Sequence, residues 1–237
     1  YNTGWVPGTI TVGAGAILEM TNQLFDNPKT EGKRILRIKG GTFISSTNSE
    51  RSMASGNTQE TAFVLDIDGG VAKFDAYGYI YFGSRQGRRR CNETYIRNGG
   101  YLSLNAECRL GDYDGTGGSN VFVMEDSAMY CKTFNVGVRV DSLNMSFSNS
   151  IVSNNNVIVG AGLGADPAKH SITFNNAILV SNGDRDDWLE ARNNAETAVI
   201  HLTEGGVTMN ARHNVGVNAV MDGDIEPFIY AYLKEGL

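Results

Sequence analysis

At residues 99–104 the chain reads Gly-Gly-Tyr-Leu-Ser-Leu, and the opening of that stretch recurs along the sequence. The related segments are Gly15-Ala16-Ile17-Leu18, Gly40-Gly41-Thr42-Phe43, Gly69-Gly70-Val71-Ala72 and Asp126-Ser127-Ala128-Met129. Asn149-Ser150-Ile151-Val152, Asn176-Ala177-Ile178-Leu179 and Gly205-Gly206-Val207-Thr208 complete the set. The first position reads Gly15, Gly40, Gly69, Gly99, Asp126, Asn149, Asn176 and Gly205. Gly, Asn and Asp are the residues that tolerate positive φ, so one left-handed corner per repeat explains them all. The second position holds only Gly, Ala or Ser, as a tight corner stacked on its neighbours requires. The segments stand 23 to 30 residues apart, the period of a repeat architecture.

The flanks carry the strands. Four residues before the corner stand Leu36, Leu65, Tyr95, Phe122, Met145 and Ile172, and two before stand Ile38, Ile67, Met124, Phe147 and Phe174. That alternation is a β-strand with one buried face. Leu18, Phe43, Leu102, Met129, Val152 and Leu179 follow the corner as a second strand entering the same core. A third short strand closes on glycine at Gly83, Gly111, Gly137, Gly160 and Gly216, and a polar loop follows. Such a unit cannot bury its face alone, so the copies stack. The expectation is an all-β, single-domain, right-handed parallel β-helix of about eight coils and three sheets, roughly 38 Å long at the ~4.8 Å strand spacing. The β-helix spans 1–224. Residues 225–237, with Phe228, Ile229, Tyr232 and Leu233 at near-helical spacing after Pro227, read as a short helical cap or the start of a following segment. Residues 187–194 read as one inserted helical turn.

Composition narrows the function classes. The 237 residues carry 26 acidic and 20 basic side chains, a net charge of −6, which disfavours nucleic acid and anionic membrane as partners. No apolar run approaches the ~20 residues of a membrane span. Three cysteines, Cys91, Cys108 and Cys131, cannot all pair internally, and none forms a CxxC. Cys108 and Cys131 fall in apolar stretches and read as small buried side chains. The chain opens at Tyr1 without an initiator Met, which reads as a processed chain or a fragment.

The corner-and-strand pattern, and the run from Gly99-Gly100 through Leu102, Leu104 and Leu110-Gly111 to Val121 and Val123, resembles the pectin-lyase-like right-handed parallel β-helix superfamily. Within it, the repeats are similar to those of autotransporter-type passengers and other bacterial surface proteins. The resemblance implies the architecture and an exported, extracellular or cell-surface protein. It implies no activity, because the fold hosts lyases, hydrolases, adhesins and tail spikes alike.

Catalytic patterns are sparse. Polygalacturonase-like hydrolysis needs paired carboxylates and, by family pattern, four motifs in order. Only Arg37-Ile38-Lys39 and Asp186-Asp187 are found, in the wrong order, and Ile38 lies on the inward pattern. Pectate-lyase-like chemistry needs an acidic calcium cluster. Asp184, Asp186, Asp187 and Glu190 offer alternating carboxylates in one loop and are the candidate calcium ligands, although a solvated loop explains them as well. No other cofactor is implied. His201 falls on the inward position four before Gly205. His170 and His213 have no serine or cysteine at triad spacing. The Asn92 and Asn144 triplets fit the N-glycosylation pattern, but Met145 is a core position.

The densest basic segment is Arg85, Arg88, Arg89 and Arg90, a set of planar forks suited to the carboxylate or sulfate of an acidic polysaccharide, although a solvated loop or a trypsin-like processing site explains them as well. The loops 84–92 and 112–119 leave at equivalent places in adjacent coils, so stacking brings Tyr113 near the arginines as a sugar-stacking side chain. The reading is therefore an exported solenoid acting as a structural, adhesive or glycan-contacting scaffold, without a recognisable catalytic motif. Its partners would be acidic polysaccharide, neighbouring domains of a longer chain, or other copies through the solenoid ends. A β-helix polysaccharide lyase or glycoside hydrolase, and a phage tail-spike or fibre segment, are the alternatives.

Overall fold

The computed structural model describes residues 7–21, 32–47, 51–53, 61–76, 79–82, 91–111, 119–138, 142–154, 156–159, 170–181, 189–191, 199–202 and 206–210. Every element among them is a strand, and every strand pairing is parallel. The first sheet stacks β1 (Gly8–Val12), β3 (Gly32–Lys39), β6 (Thr61–Asp68) and β9 (Cys91–Arg97). It continues through β11 (Ser119–Glu125), β13 (Ser142–Ser148), β16 (His170–Asn175) and β19 (Val199–Leu202). The second stacks β2 (Ile17–Met20), β4 (Thr42–Thr47), β7 (Val71–Ala76) and β10 (Tyr101–Gly111). Above them lie β12 (Ala128–Val138), β14 (Ile151–Asn154), β17 (Ala177–Ser181) and β20 (Val207–Asn210). Consecutive members of each ladder are one repeat apart in sequence. That is a parallel β-solenoid.

Three sheets were expected, and two are found. The short third strands β5 (Arg51–Met53), β8 (Tyr79–Phe82), β15 (Asn156–Val159) and β18 (Leu189–Ala191) belong to the second sheet. The cause lies in β10 and β12, eleven residues each, which run through second-strand and third-strand positions without a break. Residues 101–104 of β10 pair with β7 and residues 107–110 with β8. A register shift between Leu104 and Glu107 marks a bulge that bends the strand where a corner was expected. Residues 187–194, read as a helical turn, instead contribute Leu189–Ala191 as β18, hydrogen-bonded in register to Val157–Val159. The ladder satisfies those backbone groups that a single helical turn would leave half unpaired. The C-terminal cap, residues 225–237, lies outside the described residues.

The core follows the registers. Leu36, Leu65, Thr94, Phe122, Met145 and Ile172 form one inward column, and Ile38, Ile67, Ile96, Met124, Phe147 and Phe174 the next. Phe43, Ala72, Leu102, Met129, Val152 and Leu179 face them from the second sheet. All of these except the partly buried Phe174 are buried. Stacked aromatics fill the interior, with ring centroids 5.1 Å apart for Phe147 and Phe174 and 5.3 Å for Phe43 and Phe74. Cys108 and Cys131 are free thiols inside this core.

The corners explain the first residue of each repeat. Gly15, Gly40, Gly69, Gly99, Asp126, Asn149 and Asn176 all have φ between 46° and 77°. The small second residue is also forced. A Cβ on Gly70 would stand 2.6 Å from Ile38 Cγ2 and 2.8 Å from the Gly41 carbonyl oxygen. Where Asp and Asn replace Gly, their side chains tie successive corners together. Asn176 Nδ2 donates to Asn149 Oδ1 at 2.9 Å, and Asn149 Nδ2 donates to Asp126 Oδ1 at 3.0 Å.

Two corners depart from the expected pattern. The fourth begins one residue early, at Asn98, which is itself left-handed at φ 54°. That extra residue shifts the strand before it by one step, so Thr94 and Ile96 face inward and Tyr95 faces outward. At the last corner the left-handed residue is Gly206, at φ 51°, while Gly205 lies outside the described residues. The register pairs Ile172 with Ile200 and Phe174 with Leu202, so His201 stands opposite outward Thr173 and not on the inward column.

Candidate functional site

The third strands set the geometry of the functional edge. Met53, Phe82, Leu110, Val136, Val159 and Ala191 stand in one continuous register column. Just after this column the chain leaves the ladder in these six repeats, and it re-enters at the start of the next first-sheet strand. Those return points are also aligned, with Cys91 opposite Ser119 and Ser119 opposite Ser142. The segments 54–60, 83–90, 112–118, 139–141, 160–169 and 192–198 are therefore anchored along one edge, successive anchors lying one strand spacing apart, ~4.8 Å.

Arg85, Arg88, Arg89 and Arg90 belong to segment 83–90 and Tyr113 to segment 112–118. Both segments lie outside the described residues, but their anchors are direct neighbours: Phe82 pairs with Leu110, and Cys91 with Ser119. Asp184, Asp186 and Asp187 lie in 182–188, also outside the described residues. This segment joins β17 to β18. Glu190, grouped with these aspartates in a loop by sequence, stands within β18 opposite Ile158. Of the four candidate calcium ligands, Glu190 alone lies among the described residues. Among the described residues no group of three His, Cys, Asp or Glu side chains could hold a metal ion.

Beside the arginine edge, the outer face of the first sheet carries a charge network that the sequence reading missed. Asp66 is almost fully buried although it points away from the core. Its Oδ2 accepts from Arg37 Nε at 2.9 Å, and its Oδ1 accepts from an Arg97 guanidinium nitrogen at 2.8 Å. Glu93, two residues after the 83–90 segment returns, is held by Lys33 Nζ at 3.2 Å and by the Tyr95 hydroxyl at 3.1 Å. Burial and the neighbouring Glu93 carboxylate push the Tyr95 phenol above its ordinary pKa. The signal was partly available: Arg37 and Asp66 are register partners one repeat apart, while Arg97, opposite Asp68, reaches Asp66 on the diagonal. Arg34 is buried at an inward register position, where a guanidinium nitrogen donates to the Gly32 carbonyl at 2.9 Å.

Chemically, this face is built to hold shape. Both oxygens of Asp66 accept from arginines and Glu93 accepts two donors, so neither is presented as the unpaired carboxylate of a general acid–base pair. His170 opposes Leu143, His201 opposes Thr173 three positions further along β16, and His213 lies outside the described residues. No helix among the described residues is long and apolar enough to cross a membrane. No protein-family model, no curated protein and no solved structure matches the chain.

Proposed function

We propose that the chain is a rigid scaffold of an exported or cell-surface protein, a right-handed β-helix of about eight coils in the manner of the pectin-lyase-like superfamily. It displays a row of loops to acidic polysaccharide and does so without catalysis. The observation that carries this reading is the aligned column of loop anchors from Met53 to Ala191. Loops that leave a stiff ladder at one edge form an extended recognition surface, and such loops are where binding residues concentrate. The anchors of the arginine segment and of the Tyr113 segment are adjacent on that edge, and the proposal is that planar cations and an aromatic ring act from there on neighbouring sugars of one chain. The ion-paired state of Asp66 and Glu93 favours a binding surface over a hydrolytic one. β1 and β2 each keep one hydrogen-bonding edge without a partner among the described residues, which suits a neighbouring domain or a second copy.

An array of acidic and neutral glycans at low salt tests this reading. Binding to polygalacturonate or sulfated glycans is expected, weakening as salt rises. The quadruple change of Arg85, Arg88, Arg89 and Arg90 to serine should abolish it. Equal binding by both proteins, or release of unsaturated or reducing ends from the polymer, would refute the scaffold reading.

A further inference from the structure

The outer face of the second sheet presents Tyr101 and Tyr130. Tyr101 and Tyr130 alternate with buried Leu102, Leu104, Met129 and Cys131, so both rings stand outside the core, half-buried. Tyr101 pairs in register with Ala128, and Ser103 with Tyr130. This sets the two tyrosines on a diagonal, their Cα atoms about 8 Å apart by the strand rise and spacing. Their register neighbours in the adjoining coils are Val71 and Ala128 on either side of Tyr101, and Ser103 and Ser153 on either side of Tyr130. None of these four is long enough to lie across a ring. Among the described residues no hydrogen bond engages either phenol hydroxyl. Asn105 is exposed on the same face, its amide oriented by donation to Asp75 Oδ1 at 2.9 Å. Ile151, 45% exposed, extends the apolar strip beyond Ala128.

We propose that this strip is a second binding platform, one for an uncharged pyranose oligosaccharide. A pyranose has a C–H-lined face and a rim of hydroxyls. The strip offers the complement, flat phenol rings flanked by serine hydroxyls and an oriented amide. Charge favours a neutral ligand: Lys73 and Lys132 are balanced by Asp75 and Glu107 on the same face, so an acidic chain gains no net attraction here. Size argues against a second copy of the protein. Even over the whole register column from Ile17 (71% exposed) to Thr208, two outward positions deep, the face covers roughly 500 Å² at the usual spacings, against ~800 Å² per partner in a stable interface. The strand spacing, ~4.8 Å, is close to the length of one pyranose residue, so successive sugars can meet successive strands. Because the rings sit on paired strands, little ordering opposes binding. This platform stands independently of the arginine loop.

Calorimetric titration of the full chain with cellohexaose, maltohexaose and mannohexaose tests the proposal, with polygalacturonate as the acidic comparator. At least one neutral hexasaccharide should bind, with an affinity unchanged between low and high salt. Tyr101→Ala with Tyr130→Ala should weaken it about tenfold or more, the usual cost of removing aromatic anchors. Tyr101→Phe with Tyr130→Phe should stay within about threefold, because the ring faces remain. Circular dichroism and a thermal melt of each variant establish that the sheet is intact. The proposal is overturned by absence of binding to all three neutral sugars, or by undiminished binding in a folded alanine variant. It is equally overturned if only the arginine variant loses neutral binding, or if sedimentation shows the alanine change dissolving an oligomer. Loss of polygalacturonate binding alone in the arginine variant concerns the loop edge and leaves this platform standing.

Discussion

Replacing Phe147 with alanine removes a ring from the middle of the stacked interior. Phe147 is fully buried and lies in register between Met124 and Phe174. Its ring centroid is 5.1 Å from Phe174, 5.9 Å from Phe122 and 6.1 Å from Phe134, the last pair edge to face. A buried Phe→Ala change costs about 3–5 kcal/mol, the higher end applying where the surroundings cannot collapse into the cavity. Here β11 and β16 hold β13 from both sides by continuous parallel pairing, so the backbone cannot close in. Three ring contacts are also lost, each worth ~0.5–1.5 kcal/mol. The loss should therefore be about 4–5 kcal/mol. Phe174→Ala, one strand further on and only partly buried, should cost less. Urea titration followed by far-ultraviolet circular dichroism reads both changes. A Phe147→Ala loss under ~0.5 kcal/mol, the range of an ordinary surface change, would refute the inward column. So would a larger loss for Phe174→Ala.

Gly70→Ala should destabilise by about 1–3 kcal/mol, since the new Cβ meets backbone as well as Ile38; an unchanged urea midpoint would mean that the corners do not stack. Burial pushes the Cys108 and Cys131 thiols up, so both should resist a thiol reagent in the native protein at pH 8 and react once it is unfolded. For the same reason stability should be retained below the ordinary thiol pKa of ~8.5 and fall as pH rises beyond it, because the unfolded chain loses protons that the folded chain keeps. A stability flat from pH 7 to 10 would contradict the burial.

Much of the architecture was legible because a solenoid writes its fold once per repeat. Leu36, Ile38 and Phe43 announce the inward positions, and Gly40 the corner. Later repeats restate the rule with Asp126 or Asn149 in place of Gly. What failed were departures from the period. Asn98 adds one corner residue and turns Tyr95 outward. Additional residues between Leu202 and Gly206 take His201 off the column where counting back from Gly205 had put it. The merger of second and third strands in β10 was hidden because Asn105-Ala106 reads equally as a corner or a bulge. Leu189–Ala191 is too short for local propensity to decide, and only pairing with β15 makes it a strand. The candidate site was less legible than the fold. The ladder fixes where loops 83–90 and 112–118 are anchored, but their own sequences do not recur. The Arg37–Asp66 pair was readable in principle from its one-repeat spacing. That Tyr101 and Tyr130 are diagonal neighbours on one face follows from the register alone, because they lie in different repeats.

The parallel stacking itself is tested most directly by pulsed electron–electron spin distances along one outward column. Glu19, Ile44, Lys73, Ser103, Tyr130, Ser153, Val180 and Asn210 are successive register partners across the second sheet. Spin labels would be placed on Glu19 and, in turn, on Ser153, Val180 and Asn210, with Cys91, Cys108 and Cys131 changed to alanine. The ladder predicts backbone separations of about 24, 29 and 34 Å, growing by one strand spacing at each step. Distances that do not rise in that order, such as a Glu19–Asn210 separation shorter than Glu19–Ser153, would contradict a parallel solenoid.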